Sequence, residues 1–262
     1  MRIATLNQKQ AIAPKKSPLE LWDWTENHLG ADIAIFTEAK MPKEGLPDGW
    51  KAVWRPDGIG EKRRWGTIVT AKGYDLVDVT NGVSGRGGFS VSHNWPGAVT
   101  IVDVMKGDKI VATVVGLYAI TMDFEGISIG SGEFSVLQIL DDLHDLMKSK
   151  RRKRLIVAGD FNLQPIRMPE TLYRKMVDVV EESFGERELF GCTGCTHKTE
   201  PCGHMWTHKN GNSPGAKVQN LDYIFVSKKL RKKIQKVVGG VADFPDAWDM
   251  SDHAPVVVDL SL

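Results

Sequence analysis

The sequence predicts an α/β fold with mixed sheets, and three observations carry that reading. Short β-branched runs bounded by Gly and polar residues recur along the 262 residues, as core strands do. Hairpin-like pairs fall together at 99–117, which excludes a purely parallel sheet. Helical periodicity separates other strands and supplies crossovers between them. Two packed mixed sheets with helices on the outside accommodate all three.

The elements follow in order. A strand at 2–6 leads to a helix that Ser17 caps, Pro18 starts and Gly30 terminates after Leu29. Strands are expected at 33–37, 50–54, 66–71, 99–104 and 109–117. A helix from Gly132 to about Lys148 places Phe134, Leu137, Leu140, His144 and Met147 on one apolar stripe. After a strand at 154–159, a third helix begins near Pro169 and carries Leu172, Met176 and Val179. Strands at 222–227 and 255–260 complete the set. The loops at 80–97 and 184–221 are long, and loops of that length in a compact domain are usually functional or disordered.

Composition narrows the class. With 42% apolar content the chain can bury a sizeable core, and one domain over 1–262 is expected. The 34 basic residues against 33 acidic ones give no global steering toward nucleic acid. No run approaches the roughly 18 apolar residues of a membrane span. A strand beginning at residue 2 leaves no room for a signal peptide, and three cysteines argue against a disulfide framework. A soluble cytoplasmic protein is the expectation.

Chemistry concentrates at the ends of apolar runs. Gly159-Asp160-Phe161-Asn162 closes the run Leu155–Ala158, and Ser251-Asp252-His253 opens the last one. Asp, Asn and His together offer a base, an amide and a group able to carry positive charge, a set suited to phosphate-ester hydrolysis. Asp160 and Asn162 lie two apart, so an extended segment projects both side chains to one side. A carboxylate such as Asp222, bonded to an imidazole such as His253, fixes its tautomer and favours imidazolium. His144 and His28, by contrast, read as structural. Glu38, after Ile33–Thr37, is the candidate Mg²⁺ ligand, because that ion takes hard oxygen donors and few protein carboxylates.

Leu155–Asn162 and Ser251–Asp259 resemble the two signature segments of the endonuclease/exonuclease/phosphatase family, which includes exonuclease III and DNase I. Asn7, Glu38, Tyr118 and Asp222 match further family positions, in order, each at the end or start of an apolar run. The resemblance implies a DNase I-like four-layer α/β/β/α sandwich and a phosphodiester hydrolase dependent on Mg²⁺ or Mn²⁺, with DNA or RNA as substrate. It implies that Glu38 holds the ion with Asn7 and Asp252 close by. It also implies that Asp160 and Asn162 handle the attacking water and a phosphoryl oxygen, and that Tyr118 binds phosphate. Ala119-Ile120 departs from the proline-containing context expected after that tyrosine. Val218-Gln219-Asn220 stands where abasic-site members carry a tryptophan, which weakens that specific role. A phosphomonoesterase of nucleotides or phosphoinositides is the alternative. A zinc-stabilised binding module without catalysis is the alternative of another class.

Three features lie outside that pattern. All three cysteines fall within eleven residues, and Cys192, Cys195, Cys202 and His204, with His208 close behind, supply a tetrahedral set for one structural Zn²⁺. That ion would fold a Cys/His-rich insertion at about 184–221; free cysteines in a polar loop are the plainer alternative. Arg86, among Gly82, Gly85, Gly87 and Gly88, can reach a phosphate, or can simply belong to a surface loop. The basic runs Lys148–Arg154 and Lys228–Lys233 look like nucleic-acid patches. Strand geometry puts the first about 17 Å from Asp160. Both are therefore expected at the end of the sheets away from the site, as a solvated underside or a surface for a remote acidic partner.

Overall fold

The computed structural model describes residues 1–11, 13–54, 66–85, 87–121, 123–124, 127–128, 131–164, 167–184, 205–211 and 216–262. Cys192, Cys195, Cys202, His204 and Arg86 lie outside the described residues. One sheet comprises β1 (Arg2–Asn7), β2 (Ile33–Ala39), β3 (Trp50–Trp54), β4 (Gly66–Lys72), β17 (Ile234–Gly239) and β18 (Val256–Leu260). Their spatial order is β17-β18-β1-β2-β4-β3. The other comprises β5 (Asp75–Asp78), β8 (Val99–Lys106), β9 (Lys109–Tyr118), β12 (Leu155–Asp160), β13 (Met176–Asp178) and β16 (Asp222–Ser227), in the order β13-β16-β12-β9-β8-β5. Short ribbons join β6 (Gly82–Val83) to β7 (Phe89–Ser90), β10 (Asp123–Phe124) to β11 (Ile127–Ser128), and β14 (His208–Asn210) to β15 (Lys217–Gln219).

The two large sheets share one pairing pattern. Each has a single parallel pair at its centre, β1 with β2 and β12 with β9, flanked by antiparallel neighbours. Ile3, Ile35, Val69, Val114, Ile156 and Ile224 fill the space between them. Gly116 lets the sheets approach: a Cβ there would lie 2.7 Å from Thr67 Cγ2 and 3.0 Å from Val69 Cγ2. On one outer face, Leu6, Phe36 and Ile68 pack with Leu21 and Trp22 of α1 (Pro18–Trp24). On the other, Val115, Val157 and Phe225 pack with Val136 and Ile139 of α2 (Glu133–Asp142) and Leu146 of α3 (His144–Lys148). These are the four layers of an α/β/β/α sandwich, as the sequence predicts.

The helices depart from expectation in instructive ways. Ser17 and Glu20 form a reciprocal capping box, but α1 stops at Trp24, and Thr25–Leu29 continue as a π-helical turn closed by Gly30 at φ 58°. The expected helix to Lys148 breaks at Leu143 into α2 and α3. Its buried face is Val136, Ile139, Leu140, Leu143, Leu146 and Met147, while Phe134 and Leu137 are 37% and 50% exposed. His144 is exposed and His28 stacks on Trp24 at the surface, so neither is a core histidine. The third helix, α4 (Glu170–Lys175), ends before Met176, because Met176–Asp178 pairs with β16 as the edge strand β13. Val179 then opens α5 (Val179–Phe184). Sheet pairing satisfies that backbone in place of the helix, a tertiary gain that local periodicity does not register.

Both basic runs lie at the end of β12 and β16 remote from Asp160. Lys150–Arg154 winds as a 3₁₀ turn into β12, and antiparallel β16 brings Lys228 and Lys229 to the same end. Arg151 leaves the run in character. It makes hydrogen bonds of 2.7–3.0 Å to Asp103, a buried carboxylate that also accepts from Thr113 Oγ1.

Candidate active site

The two parallel pairs end on the same side of the sandwich and bring Asn7, Glu38, Tyr118 and Asp160 together. Carboxyl ends of parallel strands are where α/β sheets open a crevice for ligands. Asn7 ends β1, and its Nδ2 donates to Asp160 Oδ2 at 2.9 Å across the sandwich, 153 residues along the chain. Tyr118 ends β9 and donates its hydroxyl to Glu38 Oε1 at 2.9 Å. Asn7 Nδ2 also approaches that oxygen, at 3.4 Å. Glu38 sits in β2 where the pairing with β4 slips register, and its φ is 43°. A bulge of this kind re-aims a side chain that a regular strand would turn elsewhere.

Asp160 and Asn162 do meet, but through a turn. Asn162 adopts φ 48°, its backbone N–H donates to Asp160 Oδ1 at 2.8 Å, and its Nδ2 donates to Asp160 Oδ2 at 3.2 Å. Asn tolerates the left-handed region, and the Asp160 side chain closes an Asx turn by accepting from the N–H two residues on. Phe161 between them is wholly buried and anchors the turn. Gly159, at φ 145°, precedes it where a Cβ would lie 1.8 Å from the Leu117 carbonyl oxygen, so only glycine fits.

The antiparallel neighbours start where the parallel pairs end. Asp222 opens β16 opposite Asp160, and His253 lies just before β18. Asp222 Oδ2 contacts His253 Nδ1 at 2.8 Å, and His253 Nε2 stands 3.9 Å from Asp160 Oδ2. Ligand atoms of Asp160, Asp222 and His253 all fall within 4.8 Å of one another. Burial alone would hold His253 neutral, yet the carboxylates of Asp222 and Asp160 outweigh it and push the imidazole up to about 10. Burial likewise raises Asp160, to about 8, against the opposing pull of the His253 charge. Imidazolium bonded through Nδ1 to Asp222 is half of an ion pair, and a positively charged ring is no metal ligand. Glu38 and Asn7 are the better oxygen donors for a hard cation. Among the described residues Glu38 takes its hydrogen bonds on Oε1, so its second oxygen can turn to an ion.

Three residues at the site carry no signal in the linear sequence. Lys9 Nζ lies 2.5 Å from Asp252 Oδ2, so Asp252 is ion-paired. Thr207 Oγ1 accepts from the backbone N–H groups of Leu221 and Asp222 at 2.9 and 3.1 Å and sets the start of β16. His208, noticed only beside the cysteine cluster, packs its ring 4.6 Å from that of His253. Burial and the neighbouring His253 charge drive His208 down to about 4, so one ring is neutral where the other is cationic. Thr207–Lys209 runs alongside Asp252–Ala254 through backbone bonds of 2.8 and 2.9 Å, a long-range pairing that no local pattern reveals.

No family model and no curated protein sequence matches the chain. Solved structures match it along its whole length. An AP endonuclease from Archaeoglobus fulgidus is 16% identical, with 100% of both chains covered and a TM-score of 0.65. A 3′ phosphatase from Neisseria, NExo, bound to product DNA hairpin, is 15% identical, with 100% of both chains covered and a TM-score of 0.64. The fold is DNase I-like. TDP2 from C. elegans shares it at 11% identity and a TM-score of 0.60, over 99% of this chain and 74% of that one. Beside the polar cluster, this DNase I-like sandwich opens a cavity of about 560 Å³ lined by Asn162, Gln164, Arg167, His208 and Lys217. Its size suits a ligand with several polar groups.

Proposed function

We propose that the chain is a divalent-metal-dependent phosphoesterase that hydrolyses phosphodiester bonds of DNA or RNA. The observation that carries this reading is the convergence of Asn7, Glu38, Tyr118 and Asp160 with the Asp222–His253 pair. The shared fold of proteins named as AP endonucleases and a DNA-bound 3′ phosphatase supports it. Glu38 and Asn7 would hold Mg²⁺ or Mn²⁺, which would supply neutralisation of charge on the phosphoryl oxygens.

The chain's own groups divide the remaining work. Asp160 in its ionised form, with its raised proton affinity, takes the proton from the attacking water. Asn162 and Asn7 hold that carboxylate in place by their amide bonds. His253, kept cationic by Asp222, faces the phosphoryl group and offsets the charge that develops on it. Tyr118 positions Glu38 and stands beside the phosphate position. Arg167, Lys217 and the neutral His208, which line the adjoining cavity, receive the flanking phosphates. Asp252, its Oδ2 paired with Lys9, would reach the ion through Oδ1. Turnover of plasmid, single-stranded oligonucleotides, nucleotides and phosphoinositides, each with and without Mg²⁺ or Mn²⁺, tests the reading. Metal-dependent cleavage of nucleic acid is expected. Hydrolysis confined to nucleotides or phosphoinositides would replace it with a phosphomonoesterase.

A further inference from the structure

A cavity of about 520 Å³ lies at the opposite end of β12 from Asp160. Lys148, Arg152, Lys153, Lys175, Lys228 and Lys229 surround it, and among the described residues no acidic one lines it. The whole chain carries a formal net charge of only +1, so this is a local concentration of positive charge. Lys148 and Lys175 lie at the ends of α3 and α4, where the helix dipole accounts for a cation. The other four have no such role, and none of the six makes an ion pair or a side-chain hydrogen bond among the described residues. Six cations around one cavity, none of them in an ion pair among the described residues, repel one another, a cost that a bound polyanion removes.

The site is held together by the fold. Ser227 Oγ donates to the Lys153 carbonyl at 3.0 Å and fastens the two basic segments side by side. Met147, Leu155 and Met176, 8%, 2% and 3% exposed, form an apolar floor beneath the charged rim. A charged rim over an apolar floor, at a volume inside the usual range for small-molecule sites, matches a compact molecule with several phosphates and an apolar body. A nucleic-acid backbone is more often tracked by an open stripe of cations with stacking aromatics, and among the described residues no aromatic one lines this cavity. The strand length puts the cavity about 17 Å from Asp160, so it is separate from the candidate active site.

We propose that this cavity binds a small polyphosphorylated ligand of the nucleoside triphosphate class. Calorimetric titration of the full chain in EDTA, which suspends metal-dependent hydrolysis, tests it with ATP, inorganic tripolyphosphate, AMP and a single-stranded DNA 12-mer. One saturable ATP site is expected, with AMP at least about tenfold weaker, since each charge-assisted contact contributes strongly. Combining Arg152→Ala, Lys153→Ala, Lys228→Ala and Lys229→Ala should weaken ATP by at least about tenfold. Asp160→Asn should leave ATP binding unchanged, which separates this site from the active site and its proposed function. The quadruple variant should unfold at or above the wild-type thermal midpoint, since it relieves like-charge repulsion. Absence of saturable ATP binding, or binding untouched by the quadruple variant, overturns the proposal. So does a DNA 12-mer that binds more tightly than ATP and loses affinity in the same variant.

Discussion

At one end of β12 and β16, Asp160 and Asp222 are buried and face His253. At the other, Arg152, Lys153, Lys228 and Lys229 are exposed and carry no partner among the described residues. The same two strands thus present a dry, mutually bonded cluster and a wet, self-repelling rim. In the first, each polar group is fixed by its neighbours, and low dielectric makes their charges count. In the second, water screens each charge, and only a ligand would organise them. Arg151 is instructive because it belongs to the basic run by sequence but to the buried class by its bonds to Asp103.

The comparison is broken most severely at Asp160. Asp160→Asn should keep the fold and lose about 10²–10⁴ in hydrolysis, by removal of a proton acceptor. Turnover on the best substrate with circular dichroism checks it, and near-wild-type turnover would remove Asp160 from the mechanism. Arg151→Ala should do the reverse, costing about 3 kcal/mol of stability by leaving Asp103 buried without its charge partner. Urea unfolding reads that loss, and an unchanged midpoint would mean that water compensates Asp103. Glu38→Gln keeps size but removes charge, so metal titration should show the activating concentration raised by about tenfold or more. An identical titration curve would place the ion elsewhere.

A further difference concerns Asp178, a buried acid outside both ends of the comparison. Burial raises it from 3.8 to about 7, so the folded chain retains a proton that the unfolded chain has released. Its contribution to stability is therefore complete below about pH 4 and lost as pH rises toward about 7. Asp178→Asn should flatten the fall in stability across that window, as read by unfolding at several pH values. The smallest effect is expected from neutralising Arg152 and Lys153 together, which should leave both stability and hydrolysis of a short substrate at wild-type levels. A collapse in rate would mean that the rim reaches the substrate.

Much of the strand framework was legible because its signals are local. Alternating or continuous apolar runs, with Gly and polar residues at their ends, located nine of the twelve strands of the two large sheets or their close approximations, missing β5, β13 and β17. Asn7, Glu38, Tyr118, Asp160, Asp222 and His253 were each readable as run-end residues. Helix extents were read less well. A stripe through Phe134 and Leu137 has the same period as the buried one through Val136 and Ile139, and only the position of the sheet chooses between them.

The sequence by itself determined where most of the strands form, since period and punctuation act over a few residues; β13 needed its sheet partner. It also determined that polar groups stand at the strand tips. Tertiary structure alone decided which tips meet. Asn7 reaches Asp160 across 153 residues, Arg151 finds Asp103 across 48, and His208 comes to rest against His253. It also decided that Asp160 and Asn162 meet through a left-handed turn, and that two distant basic runs share one cavity. The physical reason is that such contacts depend on sheet register and on how two sheets pack, and register is set jointly by all the strands rather than within any one of them.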